Sequence, residues 1–297
     1  MNTTPPATAV AAASNAELQI ESRMREEIRD IGIPPRPAIL SEIDAEMRKD
    51  EPDFKHLADI IGSDVGLAAS VIKVANSPYY GFGKKVRSVP EAMLVLGLKV
   101  IFRTVAGLAL MKLFPHVPSL ERFWDSAART ARVSGWLAQR LHSGVRPEDA
   151  YTLGLFRDCG VAVLMIPFPE YPQILQQANE EPVQAFTAVE DRLLSINHAV
   201  VGSDLAADWL LPDEITQAIC HHHDTAAIEG SAAEMLPDAT RKLIAVCQVA
   251  EYLIQSTTML SQTHEWSKLG DACMTQLDLT ADDIAALQAD CREAVAG

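Results

Sequence analysis

Residues 196–224 read INHAVVGSDLAADWLLPDEITQAICHHHD, and the class of the fold follows from them. Two helical periods lie either side of a short break at Leu211-Pro212. In the first, His198, Val201, Gly202 and Leu205 fall on one face, so His198 opens an apolar stripe and points inward. In the second, Ile215, Ile219, His222 and His223 fall near one face and His221 turns outward. Pro212 suits the first turn of that helix, where a missing N–H costs nothing. Cys220 and His222 are about 200° apart around the helix, so they do not form a nucleophile–base pair.

Working outward, the rest of the chain is also helical. Toward the C-terminus, helices are expected over 238–258 and over LTADDIAALQADCREAV, capped by Thr280. Toward the N-terminus, the segments 185–196, 168–179, 147–165 and 120–142 carry helical periods. EAMLVLGLKVIFRTVAGLALMKLF (91–114) is apolar on nearly every side, which marks a buried helix, and Gly97 is a place for it to bend. SDVGLAASVIKVANS aligns Leu67, Val71 and Val74 or Ala75; DFKHLADIIG starts at Asp53 as N-cap; AILSEIDAEMRKD repeats Ile39, Ile43 and Met47. IPPRP (33–37) must be extended, and ELQIESRMREEIRDIG before it ends at Gly32 as a helix stop. No long alternating strand pattern occurs. The reading is all-α: a polar, disordered tail (1–16), an N-terminal helical part (17–115), a helical core (116–258) and a C-terminal helical extension (259–297).

The chain has 297 residues, 48% of them hydrophobic, enough to bury a sizeable core. A net charge of -15 disfavours phosphate-backbone binding and favours protein partners. The one local exception is GKKVR (83–87) beside Tyr79 and Tyr80, a run that normally belongs to a solvated loop, so nucleic acid is not expected as a partner. The five cysteines form no CxxC pair, which fits reduced thiols in a cytoplasmic protein. No stretch approaches the roughly 20 apolar residues of a membrane helix, so no membrane partner is expected.

Several long strings carry a resemblance. IPPRPAIL, ADIIGSDVGLAASVIKVANSPYYG, SVPEAMLVLGLKVI, FWDSAARTA, YTLGLFRDCGVAVL, the 196–224 stretch and VAEYL follow one another as in the HDOD family, which they resemble over roughly 25–255. HDOD domains are output domains of bacterial signalling proteins, related to the HD phosphohydrolases. The resemblance implies an HD-like helical core with an N-terminal helical subdomain packed on it.

An active HD hydrolase holds its metal with a histidine, a His-Asp doublet and a later aspartate. By resemblance these positions fall on Ser126, Arg157-Asp158 and Glu251. Only Asp158 survives, with Glu251 a conservative exchange. Arg157 carries a permanent charge and no acceptor lone pair, so it repels a dication and is expected to pair with Asp158 or Glu251. No GYP string links the chain to the cyclic-dinucleotide phosphodiesterase branch. The resemblance therefore implies a non-catalytic signalling module with a degenerate site at Ser126, Arg157, Asp158 and Glu251. No metal and no cofactor are expected. Partners would be signalling proteins or a second copy of the chain. His198, His222 and His223 are expected to form a polar cluster near the old cleft, with His221 in solvent. The competing reading is a residual metal-dependent phosphohydrolase using Asp158, His198, His222, His223 and Glu251, with Asp125 in place of the lost histidine.

Overall fold

A computed structural model describes residues 33–76, 85–114, 118–232, 235–259 and 262–296. The expected tail, the 17–32 helix with its Gly32 stop, Tyr79, Tyr80 and the first two residues of GKKVR (Gly83 and Lys84) lie outside these residues. Among the described residues every regular element is a helix. The extended Ile33–Pro37 strap is held to the core by the fully buried Trp209, whose indole N–H donates to the Pro34 carbonyl at 3.2 Å.

Helices α1 (Ala38–Met47), α2 (Phe54–Gly62) and α3 (Val65–Ala75) pack against α4 (Val89–Leu113). Asp53 and Asp64 accept from the first free N–H groups of α2 and α3. The apolar stripe of α3 is Leu67, Val71 and Ala75 rather than Val74. Asn76 then clamps the chain on its return: its amide exchanges two hydrogen bonds with the Val86 backbone, at 2.8 and 2.7 Å. Gly97 sits at φ +75° and kinks α4, as its position suggested. α4 corrects one expectation: with 25 residues and an 18-residue window of mean hydropathy 1.9, it is long and apolar enough to span a bilayer. Its apolar window is 61% buried and it is a core helix here, contacting α1, α2, α3 and α6.

α5 (Pro118–Leu141) packs along α6 (Pro147–Phe156) and α13 (Asp238–Thr258). Behind them lie α7 (Cys159–Leu164), α10 (His198–Asp208) and α11 (Asp213–His221), with α9 (Phe186–Leu194) beside α10 and α8 (Tyr171–Glu180) packed on α9. The extension 259–297 is not separate in space. Its α14 (Glu265–Gln276) and α15 (Ala281–Ala296) both pack on α13, and α14 also meets α12 (Thr225–Glu229). One continuous hydrophobic cluster runs from Leu40 in α1 to Cys291 in α15.

Several local expectations need correction. The 147–165 helix is two helices: Arg157 is still helical, but Asp158 (φ -100°, ψ 12°) turns the chain before α7. The turn has a packing reason. At Gly154, α6 lies against the backbone of Ala131 in α5, where an added Cβ would come within 2.7 Å. At Gly160, α7 lies against α10, where a Cβ would come within 2.1 Å of the His198 carbonyl oxygen. A straight helix would hold these two glycines about 240° apart, and the turn re-aims the second. Pro212 is the N-cap of α11, just outside its first turn. Helices α12 and α14 were not expected: α12 has a single turn capped by Asp224 and stopped by Gly230, too short for a period to register. Thr280 does cap α15, exchanging hydrogen bonds with Asp283 in a capping box.

The α7–α10 contact fixes the distance between Asp158 and His198. Gly160→Ala should cost about 2–3 kcal/mol by overpacking, read as a lowered urea midpoint. Gly62→Ala, where a Cβ meets nothing within 4 Å, should leave the midpoint nearly unchanged.

Candidate functional site

The turn between α6 and α7 places Arg157 under the core, 6% exposed. Its Nε donates to Asp158 Oδ2 at 3.0 Å. Its two terminal nitrogens reach both oxygens of Glu251 on α13, at 2.8 and 2.6 Å. The pairing expected with one carboxylate is made with both. Burial works against the guanidinium charge, but Asp158 and Glu251 outweigh it and hold Arg157 cationic. Glu251 is therefore no solvated helix residue; it is a bidentate partner, the strongest geometry for an arginine–carboxylate pair. Ser126 is half-buried on α5 and Asp125 is exposed. Neither bonds to this group among the described residues, so Asp125 does not replace the lost histidine.

The inherited HD ligand positions thus do not fit a metal. A guanidinium lies between the two carboxylates where a dication would have to sit, and no ligating step can be assigned to that set.

On the other side of Asp158 the three interior histidines converge. His198 opens α10, held by the Asn197 cap, whose side-chain oxygen accepts from Val200 N at 3.0 Å. His222 ends α11 and His223 follows it. His198 and His222 are each 1% exposed, and His223 8%. The Nε2 atom of His198 lies 3.4 Å from that of His222 and 3.2 Å from that of His223. Asp158 Oδ1 is 3.2 Å from His222 Nε2 and 3.7 Å from His198 Nε2. His221 is 39% exposed, turned outward as its place in the period requires.

Each ring is fixed from behind. The His198 Nδ1–H donates to Glu190 at 2.7 Å, and the His222 Nδ1–H donates to the Ile219 carbonyl at 2.7 Å. The His223 Nδ1–H donates to Glu265. Glu190 is fully buried and also accepts from the Tyr171 hydroxyl. Glu265 also takes the Lys268 ammonium at 2.8 Å. Phe186 stacks on His223 with centroids 4.9 Å apart and meets His198 edge-on.

The charges follow from these contacts. Burial alone would raise the Asp158 carboxyl, but Arg157, His222 and His198 hold it well below the usual carboxylate range. Burial opposes the His198 imidazolium, yet the Glu190 carboxylate outweighs it and raises the His198 pKa. Burial and the adjacent His222 push His223 down to about 4, against the pull of Glu265. Burial would raise Glu265 too, but His223 and Lys268 bring it to about 2. At neutral pH His223 is a neutral ring donating Nδ1–H to a carboxylate.

Glu190, Glu265 and Tyr171 were missed from the sequence. Glu190 had a signal: it follows Phe186 and Val189 at helical spacing, a carboxylate on an apolar face that needs a buried partner. Glu265 had none, because it opens a helix that the apolar pattern did not reveal.

Known proteins are consistent with this frame. The HDOD domain model matches residues 33–225, well over half of the chain, and the chain belongs to the HDOD family. An HDOD domain protein of Geobacter sulfurreducens superposes with a TM-score of 0.61 at 23% identity, covering 93% of this chain and 99% of that one. A candidate phosphohydrolase of Shewanella amazonensis SB2B superposes at 0.65 and 19% identity, covering 91% and 94%. A candidate signal transduction protein of Marinobacter aquaeolei VT8 superposes at 0.62 and 23% identity, covering 90% and 59%. These likenesses establish the fold. An uncharacterized protein of Treponema pallidum (strain Nichols) is 26% identical over 200 residues, 65% of this chain and 38% of that protein. The chain therefore spans well under half of that relative's length.

Removing the guanidinium leaves two carboxylates facing each other. Arg157→Met should destabilise the fold by on the order of 3 kcal/mol. Adding Glu251→Gln should restore part of it, and urea denaturation of the single and double variants measures both.

Proposed function

We propose that this protein is a non-catalytic signal-transduction module of the bacterial cytoplasm that acts by binding other proteins. The observation that carries the reading is the bidentate Arg157–Glu251 pair with Asp158 on its flank. A hydrolytic metal at the inherited position needs these carboxylates free, and it needs an open coordination position for water. A buried permanent cation denies it both. Of the residues in the competing phosphohydrolase reading, Asp158, His198, His222 and His223 come together, whereas Glu251 lies beyond Arg157 and Asp125 faces solvent.

Membership of the HDOD family and the net charge of -15 support partner proteins rather than nucleic acid or lipid. A second copy of the chain is one such partner. The helices that carry the site cross closely, α7 on α10 at Gly160, so a shift at the site would be felt along α10.

Purified untagged protein should not turn over p-nitrophenyl phosphate, bis-p-nitrophenyl phosphate or nucleotides in the presence of Mn²⁺, Fe²⁺ or Zn²⁺. Its rates should match those of Asp158→Ala. Cross-linking in the native cell should capture a defined signalling protein or the chain itself. Turnover that vanishes in Asp158→Ala would overturn the non-catalytic reading.

A further inference from the structure

The outer face of α5 is basic in an acidic chain. Residues 122–140 hold four arginines and a single carboxylate, Asp125, whereas the whole chain carries a net charge of -15. Arg122, Asp125, Arg129, Arg132, Trp136 and Arg140 recur at three- and four-residue steps, so they share one side of the helix. That side is turned from α6 and α13: Arg122, Arg132 and Arg140 are exposed, and Arg129 and Trp136 half-buried. Among the described residues, Arg122, Arg129 and Arg132 make no hydrogen bond or ion pair. Arg140 lies over the Trp136 ring, 5.7 Å from its centroid. Arginine and tryptophan are the side chains that dominate contacts between proteins.

The complement lies beside the stripe. α15 packs on α5, and Arg140 pairs with Asp290 across that contact. Residues 271–290 hold five aspartates and no lysine or arginine. Asp278 and Asp282, at the corner between α14 and α15, are exposed, and their side chains make no hydrogen bond or ion pair among the described residues. Ala285, Ala286 and Ala289 continue from Asp282 along the same exposed side, a flat floor that a large ring can cover.

We propose that α5 and the α14–α15 corner form a self-complementary interface whose occupant is a second copy of this chain. The arginine row of each copy lies against Asp278 and Asp282 of the other, and Trp136 lies on the other copy's α15 alanines. Surfaces of opposite sign, side by side on one chain, suit a two-fold axis, which makes both contacts at once. An acidic partner protein or a nucleic acid would neutralise the arginines but bring more negative charge against the neighbouring aspartates. α14 and α15 lie beyond residues 33–225, which the HDOD model matches, so the acidic half is not part of the shared domain. The inference rests on the reading that the chain acts by binding proteins, and it names one partner.

The test is sedimentation equilibrium of the full chain. The proposal expects a reversible dimer. It should weaken as salt rises from about 0.1 M to about 1 M, where the screening length falls from about 10 Å to about 3 Å. Arg129→Glu with Arg132→Glu should weaken association by about 100-fold or more, because like charges then meet across the contact. Asp278→Asn with Asp282→Lys should also dissociate it; asparagine tolerates the left-handed backbone at residue 278, φ +53°. Mixed in equal amounts, the two variants should form a one-to-one heterodimer, since each offers the sign the other needs at both contacts. Lys55→Glu with Lys99→Glu, an equal change in net charge placed on α2 and α4, should leave the equilibrium unchanged. A monomeric wild type, a dimer that survives the arginine reversals, or a mixture that stays monomeric would each overturn the interface. Where a double variant fails to fold by circular dichroism, Arg132→Gln and the salt series decide: an unchanged dimer in both would overturn it. A monomeric chain that cross-links to another signalling protein overturns the interface and keeps the functional reading. A dimer that hydrolyses phosphoesters does the reverse.

Discussion

The guanidinium of Arg157 is a permanent charge buried under the middle of an all-helical core, and the surrounding structure is arranged to neutralise it. A charge in that position is tolerated only when its donors are saturated. Glu251 supplies two acceptors from α13, and Asp158 a third from the turn that ends α6. The break between α6 and α7 and the inward face of α13 both serve this pairing. Because Asp158 spends one oxygen on Arg157, only its other oxygen is available to the histidines beyond it.

The site is therefore a graded line of charge. Glu251 and Arg157 form one end, Asp158 the middle, and the three imidazoles the other end, each backed by an acceptor. Glu190 and Glu265 sit behind the rings with their own donors, Tyr171 and Lys268. The relatives of known structure share the fold at 19–23% identity, which places the helices but assigns none of these side chains. Fold membership and site chemistry are separate conclusions here, and the second rests on this chain's own contacts.

Much of the frame was legible in the sequence because it depends on local pattern. The caps at Asp53 and Thr280, the bend at Gly97 and the inward turn of His198, His222 and His223 follow from residue type and helical period, whereas the pairing of Arg157 was implied by the family resemblance. The rest depends on partners far along the chain. The turn at Asp158 comes from two helix crossings, at Gly154 and Gly160, that no local period announces. α4 reads as a membrane-length helix because a helix buried on nearly all sides by protein looks like one buried by lipid. Glu265 lies 42 residues from the histidine it orients. That the three Nε2 atoms converge on Asp158 is a property of tertiary structure, which the helical period alone does not give.

The central claim is that a permanent positive charge, the Arg157 guanidinium, fills the place between Asp158 and Glu251 where a hydrolytic dication would sit. A crystal structure of protein crystallised with zinc, with anomalous differences collected at the zinc edge, tests it most directly. The account predicts Arg157 paired to both Asp158 and Glu251, with no peak between the two carboxylates. A peak at Glu251 with Arg157 displaced would contradict it.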